Sequence, residues 1–223
     1  MLRSKLVAAL LGASLFAGAA NATIISGAVT GGTSNTAGGT FVELDPNGAH
    51  TIGNDNFQTH NLYGLNEGQN IVIGGPLNVD LLASSGTAGV LAAGTVVASH
   101  YIVYDPRNAD SILGNVSFDS QILALVWETA NLAASDYLIN NNVTYLNPGF
   151  RGLELHPHPN NDMAWISAPN QVSVSLVAST PGDVLRVLTA YSPGADRVPE
   201  PGVLGILGLG FLGLSIAARR RRK

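Results

Sequence analysis

The segment Gln171 to Ala178 sets Val172, Val174, Leu176 and Ala178 on one side of an extended chain and Gln171, Ser173 and Ser175 on the other. A two-residue period is that of a strand with one buried face; a helix repeats every 3.6 residues and cannot present it. The same kind of short segment recurs along the chain. Gly94 to Tyr104 (GTVVASHYIVY) is the longest, rich in β-branched and aromatic residues and closed by Asp105-Pro106. Thr40 to Leu44 stops at the turn sequence Asp45-Pro-Asn-Gly48. Further strands are expected at His60–Tyr63, Asn70–Ile73, Leu77–Leu82, Val116–Phe118, Ile122–Trp127, Val143–Leu146, Arg151–Leu155, Met163–Ser167 and Val184–Ala190. The helical pattern lies in Thr129 to Ile139, where Leu132, Ala133, Asp136 and Tyr137 share spacings of three and four. Thr129 or Asn131 could cap it, and Asn140-Asn-Asn142 ends it. No internal repeat of fixed period is present. The expectation is an all-β chain: a single antiparallel β-sandwich or jelly-roll-like domain over residues 40–197 with one short helix. Residues 23–39, mostly Gly, Thr, Ser and Ala, read as a flexible lead-in.

Both ends carry transport features. Arg3 and Lys5 precede an uncharged apolar stretch from Leu6 to Ala20, and Ala20-Asn-Ala22 supplies small residues for cleavage between Ala22 and Thr23. Residues 1–22 therefore read as a secretory signal peptide, with the Sec translocon and signal peptidase as partners. At the other end Gly202 to Ala218 is uncharged for 17 residues and is followed by Arg219 to Arg222 and Lys223. As a helix this stretch is about 25 Å long, just short of the ~30 Å hydrocarbon core of a bilayer. It is expected to be a transmembrane helix, held by a basic tail that resists translocation, with the body on the opposite side of the membrane. Pro199 and Pro201 keep Val198-Pro-Glu-Pro201 extended just outside that span.

Breaker, marginal helix and basic stop over residues 198–223 resemble the PEP-CTERM sorting signal of Gram-negative bacteria. That resemblance implies recognition by an exosortase, a membrane-embedded cysteine protease or transpeptidase, and cleavage near Val198, Pro199, Glu200 and Pro201. It also implies an inner-membrane precursor with its body in the periplasm and its C-terminus in the cytoplasm. The product would be released to the outer-membrane surface or the medium in association with exopolysaccharide or biofilm. The phrases THNLYGLNEGQN, AGTVVASHYIVYDP, VTYLNPGFRGLEL and PGDVLRVLTAYSP, within Thr59 to Pro193, resemble a group of PEP-CTERM proteins sharing this body, which implies no activity.

Between the two ends, Thr23 to Val198 spans 176 residues, enough for one substantial core. It holds four cations (Arg107, Arg151, Arg186 and Arg197), no lysine and 14 acidic residues, a net charge of −10. Such a surface repels nucleic acid, so no nucleic-acid partner is expected. The absence of cysteine excludes thiol nucleophiles and thiolate metal sites.

Nucleophile-elbow, zinc-protease, P-loop and dinucleotide signatures are all missing, and no catalytic residue is assigned. His156-Pro-His158 could present two imidazoles to a metal if the segment were a strand; as a Pro-rich loop it would leave both solvated. Calcium is the ion best suited to the donors of two polar loops, Asp45, Asn47, Asn54 and Asp55 in one and Asp105 and Asp110 in the other. The alternative for these residues is Asx-turn chemistry. Trp165, behind the polar stretch Asn160-Asn-Asp162, is the candidate for stacking on a sugar ring, whereas Trp127 reads as core. The functional expectation is an exported, non-enzymatic surface or extracellular-matrix protein. The alternatives are a carbohydrate-binding or calcium-dependent adhesive module and a secreted hydrolase.

Overall fold

The computed structural model describes residues 23–53, 55–146, 149, 151–154 and 162–191. The expected signal peptide, the Val198–Pro201 motif, the 202–218 span, His156 and His158 lie outside the described residues, as do Asn54 and Ala22.

In chain order the elements begin with β1 (Ile24–Gly31), α1 (Gly32–Thr36), β2 (Phe41–Leu44), β3 (His50–Ile52), β4 (Leu62–Asn66) and β5 (Ile71–Val72). Next come β6 (Leu77–Val79), β7 (Leu81–Leu82), β8 (Gly89–Leu91), β9 (Val96–Tyr104), β10 (Asp110–Phe118) and β11 (Ile122–Val126). The chain continues through α2 (Thr129–Ala134), a 3-10 turn (Asp136–Leu138), β12 (Val143–Tyr145), β13 (Met163–Ala168), β14 (Gln171–Ala178) and β15 (Asp183–Thr189).

One sheet has the order β1-β10-β14-β13 and the larger one β2-β4-β9-β15-β11-β7, with β5 also on β9. Most pairs are antiparallel, but β2–β4 and β3–β12 are parallel. The centre of the large sheet is β9 and β15, in which every residue except Val96 is buried. On β9, Ile102 and Tyr104 face one core, built against Val116, Phe118, Val172, Val174 and Leu176 of the four-stranded sheet. Val97, Tyr101 and Val103 face a second core, closed by Ile52, Leu77, Val79, Leu91, Leu132, Leu138 and Val143. Both faces of the central strands are therefore covered, which explains why GTVVASHYIVY is apolar without alternating.

The all-β class stands, and the two sheets pack face to face as a sandwich would. The two-layer expectation is corrected in one respect: short strands, α2 and the 3-10 turn form a third layer over the other face of the large sheet. The single helix is also corrected. Thr129 to Ile139 breaks after Ala134 into the 3-10 turn, and α1 is a further short helix. Neither Thr129 nor Asn131 caps α2. The Thr129 hydroxyl donates to the Arg151 carbonyl, and Asp80 accepts the backbone N–H groups of Trp127 (2.6 Å) and Glu128 (2.8 Å) and the Asn131 amide. A carboxylate from a distant turn thus anchors the two residues that lead into α2 and the Asn131 side chain.

The expected flexible lead-in is overturned. Residues 24–31 form an edge strand in register with Leu113 to Phe118 of β10. Its small residues serve close packing: a Cβ on Gly27 would run into the Phe41 ring. The α1 turn is then tied down by Asp110, which accepts hydrogen bonds from the hydroxyls of Thr33 and Ser34 (2.8 Å for Ser34) and from the Ser111 N–H (2.8 Å). Arg151 to Glu154 form no strand; Gly152 takes φ +133°, a conformation that a strand ladder does not accommodate.

Candidate functional site

The sequence Val184-Leu-Arg-Val-Leu188 places one arginine in an otherwise apolar strand. Strand geometry sends Arg186 into the second core, opposite Tyr101 in register, where its side chain is fully buried. A buried guanidinium must find a counter-charge and acceptors for five N–H donors. Arg186 finds all of them. Nε and Nη2 form a bidentate pair with Glu67 (2.7 and 3.0 Å), Nη1 donates to the Leu132 carbonyl (3.1 Å) and to Ser135, and Nη2 also reaches Asp136 (3.4 Å). Glu67 in turn accepts hydrogen bonds from Ser99 (2.6 Å) and Tyr145 (2.7 Å). Arg151 makes a second bidentate pair with Asp136 (2.9 and 2.8 Å).

Arg151 also lines a cavity of about 530 Å³, which opens between the β11–α2 junction, Gly149, residues 151–154 and the turn before β15. Trp127, Glu128, Glu154 and Asp183 share its wall. Asp162 is buried beside it, and each of its carboxylate oxygens accepts a backbone N–H, Oδ2 from Glu154 (2.9 Å) and Oδ1 from Val177 (2.8 Å). Asp183, 5% exposed, lacks such a pair of donors: no protein N–H or O–H reaches its Oδ2. Burial first, then the negative Asp162 and Glu154, pushes the Asp183 carboxyl up to about 9. Burial and the neighbouring carboxylates thus favour the protonated form of Asp183, which is hydrogen-bonded to Asp162.

On the opposite face of β9 lies His100, fully buried against Phe118. Its Nδ1–H donates to Asn66 Oδ1 (2.8 Å), and Nε2 accepts from the Thr189 hydroxyl (3.1 Å), so the neutral ring is fully satisfied. Burial lowers its pKa to about 3. The stability that neutral His100 confers is present above the unfolded value of about 6.5 and is lost as pH falls from there toward 3. Thermal melts between pH 4 and 7 should show a flatter acid limb for His100→Gln than for the unchanged chain; identical limbs would contradict the assignment.

The calcium candidates fall into separate settings. Asp45 accepts the Asn47 N–H (2.9 Å), an Asx turn, and its carbonyl contacts the His50 ring (2.7 Å). Asp105 is buried beneath the loop that bears Asp55, and Oδ2 accepts the Phe57 N–H (2.9 Å). Burial, offset by these backbone donors and reinforced by Asp55, raises its pKa. Asp110 belongs instead to α1 and to His60 Nδ1 (2.7 Å). Burial opposes its charge, but Thr33, His60 and Ser34 outweigh this and hold the carboxyl at about 2. Among the described residues no group of three or more His, Asp or Glu side chains is placed to hold a metal ion. Trp127 is core, as expected, while Trp165 is 37% exposed on β13. Sequence reasoning missed the Arg186–Glu67 pair, whose members lie 119 residues apart, and the Asp162–Asp183 pair. The lone arginine in an apolar strand was the available signal for the first; nothing local marks the second.

A protein-family model described as the PEP-CTERM protein-sorting motif matches residues 197–222. The chain carries a PEP-CTERM sorting signal. It is therefore an exported protein with a membrane-anchored sorting signal, processed by an exosortase. No curated protein and no solved structure matches the chain. No helix among the described residues is long and apolar enough to cross a membrane.

Proposed function

We propose that this PEP-CTERM protein is a non-enzymatic component of the cell surface or extracellular matrix that works alongside exopolysaccharide. The observation that carries this reading is the sorting motif at residues 197–222, attached to a lysine-free, strongly acidic β-rich body. The signal peptide delivers the chain through the Sec translocon, signal peptidase cuts after Ala22, and the 202–218 helix holds the precursor with its body in the periplasm. The exosortase then cuts near Pro199-Glu-Pro201, and the body passes to the outer surface. The uses of the interior ionic groups support a structural body. Glu67 is saturated by Arg186, Ser99 and Tyr145, and both Asp162 oxygens join backbone segments.

Processing provides the test. Pro199→Ala combined with Pro201→Ala removes the extended, strand-like substrate, and uncleaved chain should accumulate in the membrane fraction on an immunoblot. Normal maturation of the double variant would show that the protease reads something else.

A further inference from the structure

The outward face of the four-stranded sheet carries an uncharged row of hydroxyls and amides beside an exposed aromatic ring. The strand alternation that buries Val172, Val174 and Leu176 turns their neighbours to solvent, and the register aligns those neighbours in rows. One row is Trp165–Ser173–Asn115; in the next, Gln171 pairs with Ser117, and Ser167 reaches Gln171 from the bulge of β13 by a side-chain hydrogen bond. No outward position of β10, β13 or β14 bears a charge, although the body has 14 acidic residues. The polar groups are already ordered. Ser173 Oγ donates to Ser167 Oγ (2.9 Å), Ser167 to Gln171 Oε1 (3.0 Å), and Gln171 Nε2 to Ser117 Oγ (3.0 Å). Each hydroxyl keeps acceptor capacity toward solvent. Beside this chain of hydrogen bonds stands Trp165, 37% exposed, with Met163 next to it at 55%.

From this face we infer a binding surface for a neutral polysaccharide chain, with Trp165 as the stacking platform and the Ser173–Ser167–Gln171–Ser117 chain as partner of the sugar hydroxyls. A sugar ring has an apolar C–H face and a rim of hydroxyls, which match an aromatic ring and a row of hydroxyls and amides. Strands lie about 4.8 Å apart, so the rows form a flat track of closely spaced hydrogen-bonding groups across the sheet. The absence of charge fits an uncharged ligand, and the net −10 of the body repels an anionic one. The bulge between Ile166 and Ala168 breaks the β13 ladder, which disfavours a second copy adding to that edge. The inference deepens the matrix reading and rests on it for its biological setting.

The test is electrophoresis of the intact chain, in zwitterionic detergent, through native gels containing a neutral β-glucan, a galactomannan, alginate or no polysaccharide. At least one neutral polymer should retard the protein and alginate should not. Trp165→Ala should weaken the retardation by about tenfold or more, as loss of an aromatic contact does. Ser173→Asp, which charges the middle of the track, should weaken it as well. Both positions are solvent-facing, and unchanged melting curves would confirm that each variant is folded. Passage through every neutral gel without retardation overturns the inference, as does equal retardation of Trp165→Ala, or retardation by alginate alone. A dilution-dependent shift without polysaccharide that Trp165→Ala abolishes would assign the face to a second copy instead. Failure here with normal cleavage at Pro-Glu-Pro removes only the ligand; failure of cleavage removes the export route and leaves the sheet face untouched.

Discussion

Arg186→Met should destabilise the protein by roughly 3–5 kcal/mol, the usual consequence of stripping the partner from a buried charge. For a domain of this size that corresponds to a fall in Tm on the order of 10 °C. The cause is what the substitution leaves behind. Methionine fills much of the volume, but Glu67, whose side chain is 0% exposed, loses its guanidinium; the Leu132 carbonyl keeps the Ser135 hydroxyl as a donor but loses the guanidinium, as does the Ser135 oxygen. A second substitution distinguishes this cause from simple loss of packing. Glu67→Gln removes the charge, keeps one acceptor oxygen for Ser99 or Tyr145 and turns an NH2 donor toward the other hydroxyl, which can accept it, so Arg186→Met/Glu67→Gln should recover most of the loss. Chemical denaturation of both variants reads this directly. A double variant no more stable than Arg186→Met would mean that the orphaned carboxylate is not the source of the damage. The intact pair need not be worth as much as its removal costs, because burying two charges consumes most of their attraction.

The second large effect is a dependence of stability on pH. The folded pKa of Asp183, about 9, lies above the value of about 3.9 for an unfolded aspartate. The folded state therefore holds a proton that the unfolded state has released, and stability declines with rising pH across that interval. The contribution is complete below about pH 4 and is lost as pH rises through 9, with a limiting slope of about 1.4 kcal/mol per pH unit. Asp183→Asn places a permanent N–H donor against Asp162 and no longer titrates. The difference in stability between Asp183→Asn and the unchanged chain should grow in favour of the variant from pH 5 to pH 9. Glu154 and Arg151 line the same cavity, Asp162 is buried beside it, and all three remain in both proteins, so the profiles differ through Asp183 and its interaction with these carboxylates. Parallel pH profiles would remove the neutral acid from the cavity. Asp162 also ties Glu154 to β14, its two oxygens accepting the backbone N–H groups of Glu154 and Val177.

Much of the strand content could be read from the chain because strand formation depends on neighbours two residues apart. Val172 to Ala178 and Val184 to Thr189 announce themselves in this way. Residues 24–31 do not, since their small side chains resemble linker composition, and only the Phe41 ring lying over Gly27 gives them a reason to be small. The helix cap was misassigned for a related reason. Thr129 and Asn131 are cap-forming residue types, but their side chains are taken by the Arg151 carbonyl and by Asp80, partners that only the tertiary fold brings near. Trp165 was singled out from its polar neighbours, but its place in an uncharged hydroxyl row depends on the register of three strands.

The sorting motif and the all-β character of the body are local properties: a proline pair, an apolar run with a basic end, and a two-residue alternation all act within a few bonds of themselves. The partners of charged groups are another matter. Glu67 meets Arg186, Asp162 meets Asp183 and Asp110 meets Ser34 across 119, 21 and 76 positions. Coulomb and hydrogen-bond energies depend on distance in space, and folding alone converts separation along the chain into that distance. The sequence thus determined where the chain is sent and what kind of body it builds, while the tertiary structure decided which ionic groups are buried and which face is left free of charge.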